Sequence, residues 1–378
     1  MRRHLICYLL LAGLAPCAAA QDVAPEVLAD YQAKLAQYEA VHGAYEREAV
    51  AYWDAVADKR RIRNAKRRNH EPVVLADYVL TQPPVYAGPP KPVSPLPPPP
   101  VPPKPEIPVV ADFLQAARAE WDFVPDLPAS DLDFKRAYAK AARAAGLTRE
   151  QIVGIYAFET GGHGSYNSQA GLGTPRPNAH AISPAIGYNQ LLSTNTVSLF
   201  GESGPRFIAA LEAKEKALSG ERGAEFARKF AVLRRMIAYC RSLPHAWAKY
   251  DEIAKHTEKG WGIHAAVLDI DVGPLLQVQK LLDSVLFART KGYEKPLTAA
   301  ELELMNLTGD GNGFDMVTMP AAMRERVPTA NFFQRMGYER NPVARRTGVV
   351  AALIAEIAGK MASEANTPGA KELAAAYQ

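Results

Sequence analysis

The sequence predicts a mainly α fold, and three observations lead to it. From about residue 109 to residue 362, apolar residues recur at helical spacing in one segment after another, and strand-like alternation is scarce. Several segments carry capping residues at their starts and glycines at their ends. The composition, with 48% hydrophobic and 22% charged residues, is that of an ordinary folded protein. A chain of 378 residues has room for one large domain or two.

The first twenty residues have the pattern of a secretory signal peptide. A basic start is followed by an apolar stretch from Leu5 to Leu14 and by small residues that end at Ala20, so cleavage is predicted before Gln21. The apolar stretch is too short to span a bilayer. Cys17 offers a lipoprotein alternative, which Pro16 disfavours. We therefore expect a periplasmic or secreted protein whose single remaining cysteine, Cys240, is a buried core thiol.

Residues 21–80 are predicted to contain an amphipathic helix and a basic run. Over the helix, from Pro25 to about Val56, tyrosines recur every seven residues, at Tyr31, Tyr38, Tyr45 and Tyr52. This spacing places one side of a helix in register with a partner. The helix therefore packs either on the main domain or on another copy of itself, as a coiled coil.

The basic run, KRRIRNAKRR, covers residues 59–68 and contains seven Lys or Arg in ten residues. Such runs usually form solvated faces. In an exported protein, the anionic partners of residues 25–68 would be a membrane surface or a wall polymer. Nucleic acid is not expected as a partner, because no aromatic residues interleave with the cations and no nucleic-acid motif is present.

A proline-rich linker is predicted at residues 81–108. Residues 83–108 contain fourteen prolines, which exclude a helix or a central strand and favour an extended polyproline II spacer. A helical domain is then predicted at residues 109–365, followed by a loose tail at 366–378. Its expected helices include one capped by Ser130 and one capped by Thr148, and further helices at 204–218, 222–241, 244–256, 272–290 and 343–363.

Glu159 is the main candidate for a catalytic residue in the sequence. It follows the apolar helix Thr148–Phe158 and precedes the glycine-rich loop GGHGSYN. Apolar surroundings and the negative end of the helix dipole both disfavour a charged carboxylate and raise its pKa. An acid that stays protonated near neutral pH can protonate the leaving oxygen of a glycosidic bond. On position alone, the alternative is a helix-end glutamate that only touches solvent.

Two downstream segments, AISPAIGYNQLLSTNT at 181–196 and LELMNLTGDGNG at 302–313, resemble motifs of one family. With Glu159-Thr160, they are similar to the Glu-Ser, Gly-Leu-Met-Gln and Ala-Tyr-Asn-Ala-Gly motifs of soluble lytic transglycosylases. Gly187, Gln190, Asn306 and Gly309 stand at matching positions. The chain departs from the pattern where Tyr188-Asn189 replaces Leu-Met and Met305 replaces Tyr.

The resemblance implies a lysozyme-like α-helical domain that cleaves peptidoglycan glycan strands between N-acetylmuramic acid and N-acetylglucosamine. Glu159 would act first as acid and then as base, leaving a 1,6-anhydro end. Gln190 and Asn306, together with Asn189, would hold the sugars. Tyr188 would either stack on a sugar or lie in the core, and Thr160 would orient Glu159, cap the turn or touch substrate.

Other chemistries remain as alternatives. A hydrolytic muramidase would need a second carboxylate, and Asp269, Asp271, Asp310 and Asp315 are the nearest candidates, although structural roles are expected for all four. The segment DGNGFD is similar to a calcium loop but has Asp315 where such loops need glycine, so no metal or other cofactor is expected. A catalytically weak wall-binding or scaffold protein is the remaining alternative.

Overall fold

The computed structural model describes residues 23–97, 106–172 and 179–378, and this part of the chain is mainly helical. Helices make up 68% of the structure, which confirms the mainly α prediction. Within these ranges no strand forms, and β-pairing is limited to isolated bridges such as the one between Ile186 and Leu191. The predicted signal peptide lies outside the described residues. None of the described helices is both long and apolar enough to cross a bilayer.

Sixteen α-helices lie in the described ranges, and most are short. They are α1 (Pro25–Arg68), α2 (Val110–Trp121), α3 (Asp131–Ala144), α4 (Arg149–Thr160), α5 (Ser193–Lys216), α6 (Gly220–Ser242), α7 (Trp247–His256), α8 (Glu258–His264), α9 (Gly273–Thr290), α10 (Ala299–Thr308), α11 (Asp310–Thr318), α12 (Ala321–Arg324), α13 (Arg335–Arg340), α14 (Pro342–Thr347), α15 (Val350–Glu364) and α16 (Pro368–Ala376). Short 3₁₀ helices lie at Leu75–Asp77, Ala265–Leu268 and Thr329–Phe332.

The chain divides into two units that do not follow the predicted boundaries. Among the described residues, the smaller unit comprises residues 23–54 and 83–97, and the larger comprises residues 55–82, 106–172 and 179–378. The last third of α1, with the whole basic run, therefore belongs to the larger unit and not to a separate N-terminal segment. The reason is that this part of α1 is bonded to the larger unit through buried polar groups.

In the smaller unit, the start of the proline-rich segment packs on the tyrosine seam of α1. The ring of Tyr86 meets the rings of Tyr38, His42 and Tyr45 at centroid distances of 6.0, 5.2 and 5.4 Å. Residues 83–97 form neither helix nor strand. This part of the predicted spacer therefore covers the middle of the seam that a coiled-coil partner would need.

In the larger unit, the basic run contributes a fully buried arginine. Arg63 is 0% exposed, and its Nε donates to Asp315 Oδ2 at 3.2 Å. Its two terminal nitrogens donate to the carbonyl oxygens of Asp77 and Asn331 at 3.1 Å each. The guanidinium carbon lies 4.3 Å from the centroid of the Tyr78 ring. We refer to Arg63, Asp77, Tyr78, Asp315 and Asn331 as the Arg63 cluster.

Neighbouring cations of the basic run also donate hydrogen bonds to residues of the larger unit. Arg60 donates to the carbonyl of Phe333 at 2.7 Å, Lys59 to the carbonyl of Ala76 at 2.6 Å, and Lys66 to the Asp77 carboxylate at 2.7 Å. The contacts with Phe333 and Asp77 satisfy a carbonyl and a carboxylate of buried residues, whereas Ala76 is exposed. The expectation of a solvated basic face is therefore wrong for much of the run, although Arg61 and Arg68 are exposed.

Helix boundaries near the site are set by the predicted capping residues. Ser130 Oγ accepts from the backbone N–H of Asp133 at 3.2 Å at the start of α3. Thr148 and Gln151 form a capping box at the start of α4. That helix ends where Gly161 takes a left-handed conformation with φ of 62°. Local sequence chemistry thus fixes where α4 begins and ends.

The hydrophobic core of the larger unit contains Phe113, Phe200, Phe230, Leu233 and Cys240, which are almost completely buried. Burial raises the pKa of the Cys240 thiol to about 12, so this thiol is a packing group, as predicted.

The predicted loose tail is instead a docked helix. Thr367 caps α16, and Ala370 and Leu373 are fully buried at helical spacing. Glu372 accepts from Lys135 Nζ on α3 at 2.6 Å. The expectation of a loose tail was wrong because two apolar residues and one ion pair suffice to fix so short a helix.

Candidate functional site

Glu159 lies in the last turn of α4, as the sequence predicts. The same helix buries Ile152, Ile155 and Tyr156 completely, so α4 is anchored in the core along one face. Glu159 itself is half-buried. The core therefore holds the backbone of this acid rigidly and leaves part of its side chain accessible.

Helix α10 packs against α4 and brings the third sequence motif to this acid. A Cβ added to Gly154 would lie 2.6 Å from Cβ of Ala299, so the two helices approach closely at a point where only glycine fits. Farther along both helices, Asn306 Nδ2 donates to Glu159 Oε1 at 2.9 Å. Two motif residues from distant parts of the sequence thus meet in one hydrogen bond.

A second acid that the sequence analysis missed lies beside them. Glu303 is one turn before Asn306 on α10 and is 0% exposed. Neither of its carboxyl oxygens has a hydrogen-bond partner of ordinary geometry in the described part of the chain. We refer to Glu159 and Glu303 as the acid pair. The sequence signal that could have pointed to Glu303 is its position between the apolar residues Leu302 and Leu304.

Burial dominates the protonation of the acid pair. It raises the pKa of Glu159 to about 7, while interactions with Glu303, Lys360, Asn306 and Lys280 favour the carboxylate and limit the rise. Burial raises the pKa of Glu303 well above its usual value, and the neighbouring Glu159 charge raises it further. Burial and the neighbouring acid thus both favour the neutral form of Glu303, and Glu159 can exchange a proton near neutral pH.

The nearest cations do not neutralise the acid pair by direct contact. Lys360 Nζ donates to the carbonyl of Phe158 at 3.0 Å and lies 4.2 Å from the centroid of the Phe158 ring. No ion pair joins Glu159 or Glu303 to a lysine or arginine within the described ranges. Because a contacting cation would hold Glu159 ionised, its absence there keeps this group able to carry a proton.

The second motif forms a tight turn. Gly187 has φ of 85°, and a Cβ there would lie 2.1 Å from Gln277 Nε2, so the position requires glycine. Gln190 has φ of 42° and is half-buried. Its Nε2 donates to the carbonyls of Ser168 and Gly187 at 3.1 and 2.9 Å. Gln190 therefore holds the turn against the loop that follows Glu159, and it makes no hydrogen bond to Glu159 among the described residues.

The residues that replace Leu-Met in this motif lie in the core. Tyr188 is 0% exposed and donates to Asp131 Oδ1 at 2.9 Å, so the core alternative holds for this residue. Asn189 is 3% exposed, and its side chain donates to the Gln277 carbonyl at 2.8 Å and accepts from Tyr138 at 3.1 Å. Neither side chain faces a surface on which a sugar could lie.

Thr160 uses its hydroxyl within its own helix. Thr160 Oγ1 donates to the carbonyl of Tyr156 at 2.6 Å, one turn back along α4. The structure thus gives Thr160 a helix-end role and shows no hydrogen bond from it to Glu159. Of the predicted site residues, only Glu159 and Asn306 are directly joined.

The four aspartates considered as second carboxylates are all engaged elsewhere. Asp269 and Asp271 form ion pairs with Lys229 at 3.1 and 2.6 Å. Asp310 accepts from Ser284 at 2.6 Å and begins α11, and Asp315 belongs to the Arg63 cluster. The segment DGNGFD, which is similar to a calcium loop in sequence, is thus part of helix α11, and these acids have structural partners.

A cleft of about 860 Å³ lies elsewhere in the larger unit and is not lined by Glu159. Arg68 and Lys291 border it together with the aromatic rings of Phe287 and Phe314. In the described part of the chain, no cluster of three or more His, Cys, Asp or Glu is arranged to hold a metal ion.

Comparison of the chain with protein-family models, with curated proteins and with solved structures gives no match.

Proposed function

We propose that this protein is a peptidoglycan lytic transglycosylase with a lysozyme-like helical domain, in which Glu159 is the single general acid and base. The observation that carries the proposal is the hydrogen bond from Asn306 to Glu159 at the end of an apolar helix. It joins the first and third segments on which the family resemblance rests, and it joins them at the acid itself.

The first step uses the protonated form of Glu159. Because Asn306 occupies Oε1, the other oxygen is the one that carries the proton toward substrate. This proton passes to the bridging oxygen as the bond from that oxygen to C1 of the muramoyl sugar breaks. Positive charge then develops on the sugar ring, and Glu159 becomes a carboxylate that Asn306 stabilises by a charge-assisted hydrogen bond.

The second step uses the carboxylate as a base. It accepts the proton of the muramoyl 6-hydroxyl as O6 bonds to C1, which closes the 1,6-anhydro ring and restores protonated Glu159. No water is consumed. A group whose pKa is raised to about 7 suits both transfers at neutral pH, because general acid and base catalysis is most efficient when the pKa is near the working pH.

The arrangement of carboxyl groups favours this reaction over hydrolysis. Hydrolysing glycosidases place a second carboxylate across the scissile bond, about 5–5.5 Å away for retention or about 6.5–9.5 Å for inversion. Glu303 is 0% exposed and cannot contact a sugar or its attacking water. The four aspartates named above are bonded to other groups. Among Glu159, Glu303 and these four aspartates, Glu159 is thus the one placed to act on substrate, and the transglycosylase reaction requires a single carboxyl group.

The positions at which the chain departs from the family motifs are relevant to the alternative of a wall-binding protein that has no catalytic activity. Tyr188 and Asn189 are buried in the core, so the replacement of Leu-Met alters packing beneath the proposed groove. Glu159 and its Asn306 partner are retained. These points favour an enzyme that acts on glycan strands of the wall after export.

Digestion of purified sacculi tests the proposal. The full chain is incubated with sacculi, and the soluble products are weighed by mass spectrometry. We expect muropeptides with 1,6-anhydro ends. Products with reducing ends would contradict the transglycosylase reaction and indicate a muramidase, and the absence of release beside measurable binding would indicate a wall-binding protein.

We further propose that the cations left exposed by the fold, including Arg68 and Lys291, attract an anionic wall polymer or membrane surface. Attraction between exposed charges is screened within roughly 8 Å at physiological ionic strength. Binding of the Glu159→Gln chain to sacculi should weaken as salt rises, and binding that is unchanged by salt would contradict this proposal.

A further inference from the structure

Glu303 has no part in the proton transfers described above, yet it is among the most enclosed acids of the protein. It is 0% exposed, and neither carboxyl oxygen has a hydrogen bond of ordinary geometry to another described residue. The other fully buried acid, Asp269, has Lys229 at 3.1 Å and accepts from backbone N–H groups. A buried carboxyl without such partners is costly as an anion. Its presence next to Glu159 therefore needs a physical account.

Helix geometry directs Glu303 to the same place as Asn306. The two residues are three positions apart on α10 and so lie on one face. Asn306 contacts Glu159 on α4, and the close packing of Ala299 against Gly154 fixes how the two helices meet. Glu303 thus lies next to Glu159 and is itself shielded from solvent.

We propose that Glu303 is a positioning residue that stays protonated and presents its O–H to Glu159 whenever Glu159 is a carboxylate. The role of Glu303 in catalysis rests on the proposed function, whereas its protonation and its hydrogen bond to Glu159 do not. After Glu159 gives its proton to the bridging oxygen, Asn306 and Glu303 supply two hydrogen-bond donors to the new anion. Glu303 itself neither contacts substrate nor loses its proton.

The charges around the acid pair are consistent with a neutral Glu303. Helix α10 packs on α4, α9, α11 and α15. From these helices the main charges that act on the pair are those of Glu159, Lys280 and Lys360. Asp283 on α9 accepts from Gln279 Nε2 at 2.6 Å. On α11, Asp310 is bonded to Ser284 and Asp315 to Arg63. Since neither lysine forms an ion pair with Glu303, the neutral acid is the form that burial favours.

Two substitutions separate a neutral donor from a buried anion. Glu303→Gln keeps a neutral side chain with N–H donors, whereas Glu303→Leu keeps similar bulk and has none. If Glu303 is a donor, the protonation midpoint of Glu159 should change little in Glu303→Gln. It should rise by roughly one pH unit in Glu303→Leu, because the carboxylate loses a stabilising hydrogen bond.

The midpoint is measured on the full chain by carbon-13 NMR of labelled glutamate carboxyl groups, and the Glu159 signal is identified by its loss in Glu159→Gln. This readout needs no activity. If wild type cleaves no glycan while the midpoints behave as expected, the proposed function fails and the role of Glu303 stands. If glycan is cleaved, the alkaline limb of the rate profile should shift with the midpoint in Glu303→Leu.

The opposite results would overturn the inference. If Glu303 were an anion, both substitutions would remove a negative charge, and the Glu159 midpoint would fall in both. An unchanged midpoint in Glu303→Leu would mean that no hydrogen bond of consequence links the pair. Should Glu303→Leu fail to fold, Glu303→Gln alone decides, since a neutral donor predicts little change and an anion predicts a fall.

Discussion

The neighbouring helices α10 and α11 each bury a carboxyl group, and the two groups have opposite electrostatic surroundings. Asp315 on α11 meets the guanidinium groups of Arg63 and Arg67 and accepts from Tyr78 Oη at 2.8 Å. Glu303 on α10 meets another acid, Glu159, and no ion pair. The carboxyl group that contacts cations serves the fold. An acid pair without them keeps a mobile proton and can serve chemistry.

The largest effect on stability is expected in the Arg63 cluster. Arg63→Met should lower the free energy of unfolding by about 3–5 kcal/mol, because it removes one buried cation from Asp315 and one hydrogen-bond donor from each of two carbonyls. Arg61→Met is the matched control on the same helix, since the Arg61 side chain is 74% exposed and its ion pair is with Asp58, an exposed residue three positions away. Urea denaturation of the full chain measures both. Equal small losses would mean that the cluster is not a structural ion pair.

The acid pair should make stability fall as pH rises. The pKa of Glu159 is raised from 4.5 in the unfolded chain to about 7 in the fold, so the folded state binds this proton more tightly. The resulting stability is fully present below about pH 4.5 and is lost as pH rises through about 7. Glu159→Gln removes this ionisable group. At alkaline pH we therefore expect the variant to be more stable than wild type by on the order of 2–3 kcal/mol.

Thermal or urea melts of both proteins at acidic and alkaline pH check this sign. A stability difference that does not change with pH would mean that Glu159 has an ordinary pKa, and the contrast between the acid pair and the Arg63 cluster would lose its basis.

Loss of the Asn306 donor should weaken catalysis without unfolding the protein. Asn306→Ala removes the hydrogen bond to Glu159, so the carboxylate formed in the first step is less stable and kcat should fall roughly tenfold. The alkaline limb of the rate profile should move to higher pH. Asn312→Ala is the control, because Asn312 donates to the Thr308 carbonyl and not to the acid pair. A fall in kcat of the same size in both variants would contradict a specific role for Asn306.

The smallest effect is expected for Tyr188→Phe. The hydroxyl of Tyr188 bonds to Asp131 within the core, so its loss should cost about 1 kcal/mol of stability. The KM for glycan should not change, since the ring is enclosed. A large rise in KM would show that this ring contacts sugar, as the resemblance alone allowed.

Local chemistry explains which features could be predicted from the sequence. The ends of α4 follow from Thr148, Gln151 and Gly161, and the position of Glu159 follows from them. Asn306 was expected at the same site as Glu159 only because both segments resembled motifs of one family, and the hydrogen bond between the two residues was not predicted. Nothing in the local sequence around either residue requires the other.

Features that depend on distant partners could not be predicted. The basic run looked solvated because its acid, Asp315, lies far along the chain, and burial of Arg63 becomes favourable only when that acid and two carbonyls converge on it. Glu303 was overlooked because a helix interior gives no sign of which apolar-flanked acid will face a second acid. The sequence did not decide whether Tyr188 lies in the core or stacks on a sugar, because an aromatic ring can pack in either environment.

The central claim is that Glu159 carries both proton transfers, and Glu159→Gln tests it most directly. The initial rate of muropeptide release from sacculi is measured for wild type, Glu159→Gln and Glu150→Gln, an exposed acid at the other end of α4. We predict a loss of about 10²–10⁴-fold or more for Glu159→Gln with normal melting, because glutamine cannot donate the proton, and a rate close to wild type for Glu150→Gln. Cleavage by Glu159→Gln at a rate similar to wild type would contradict the account.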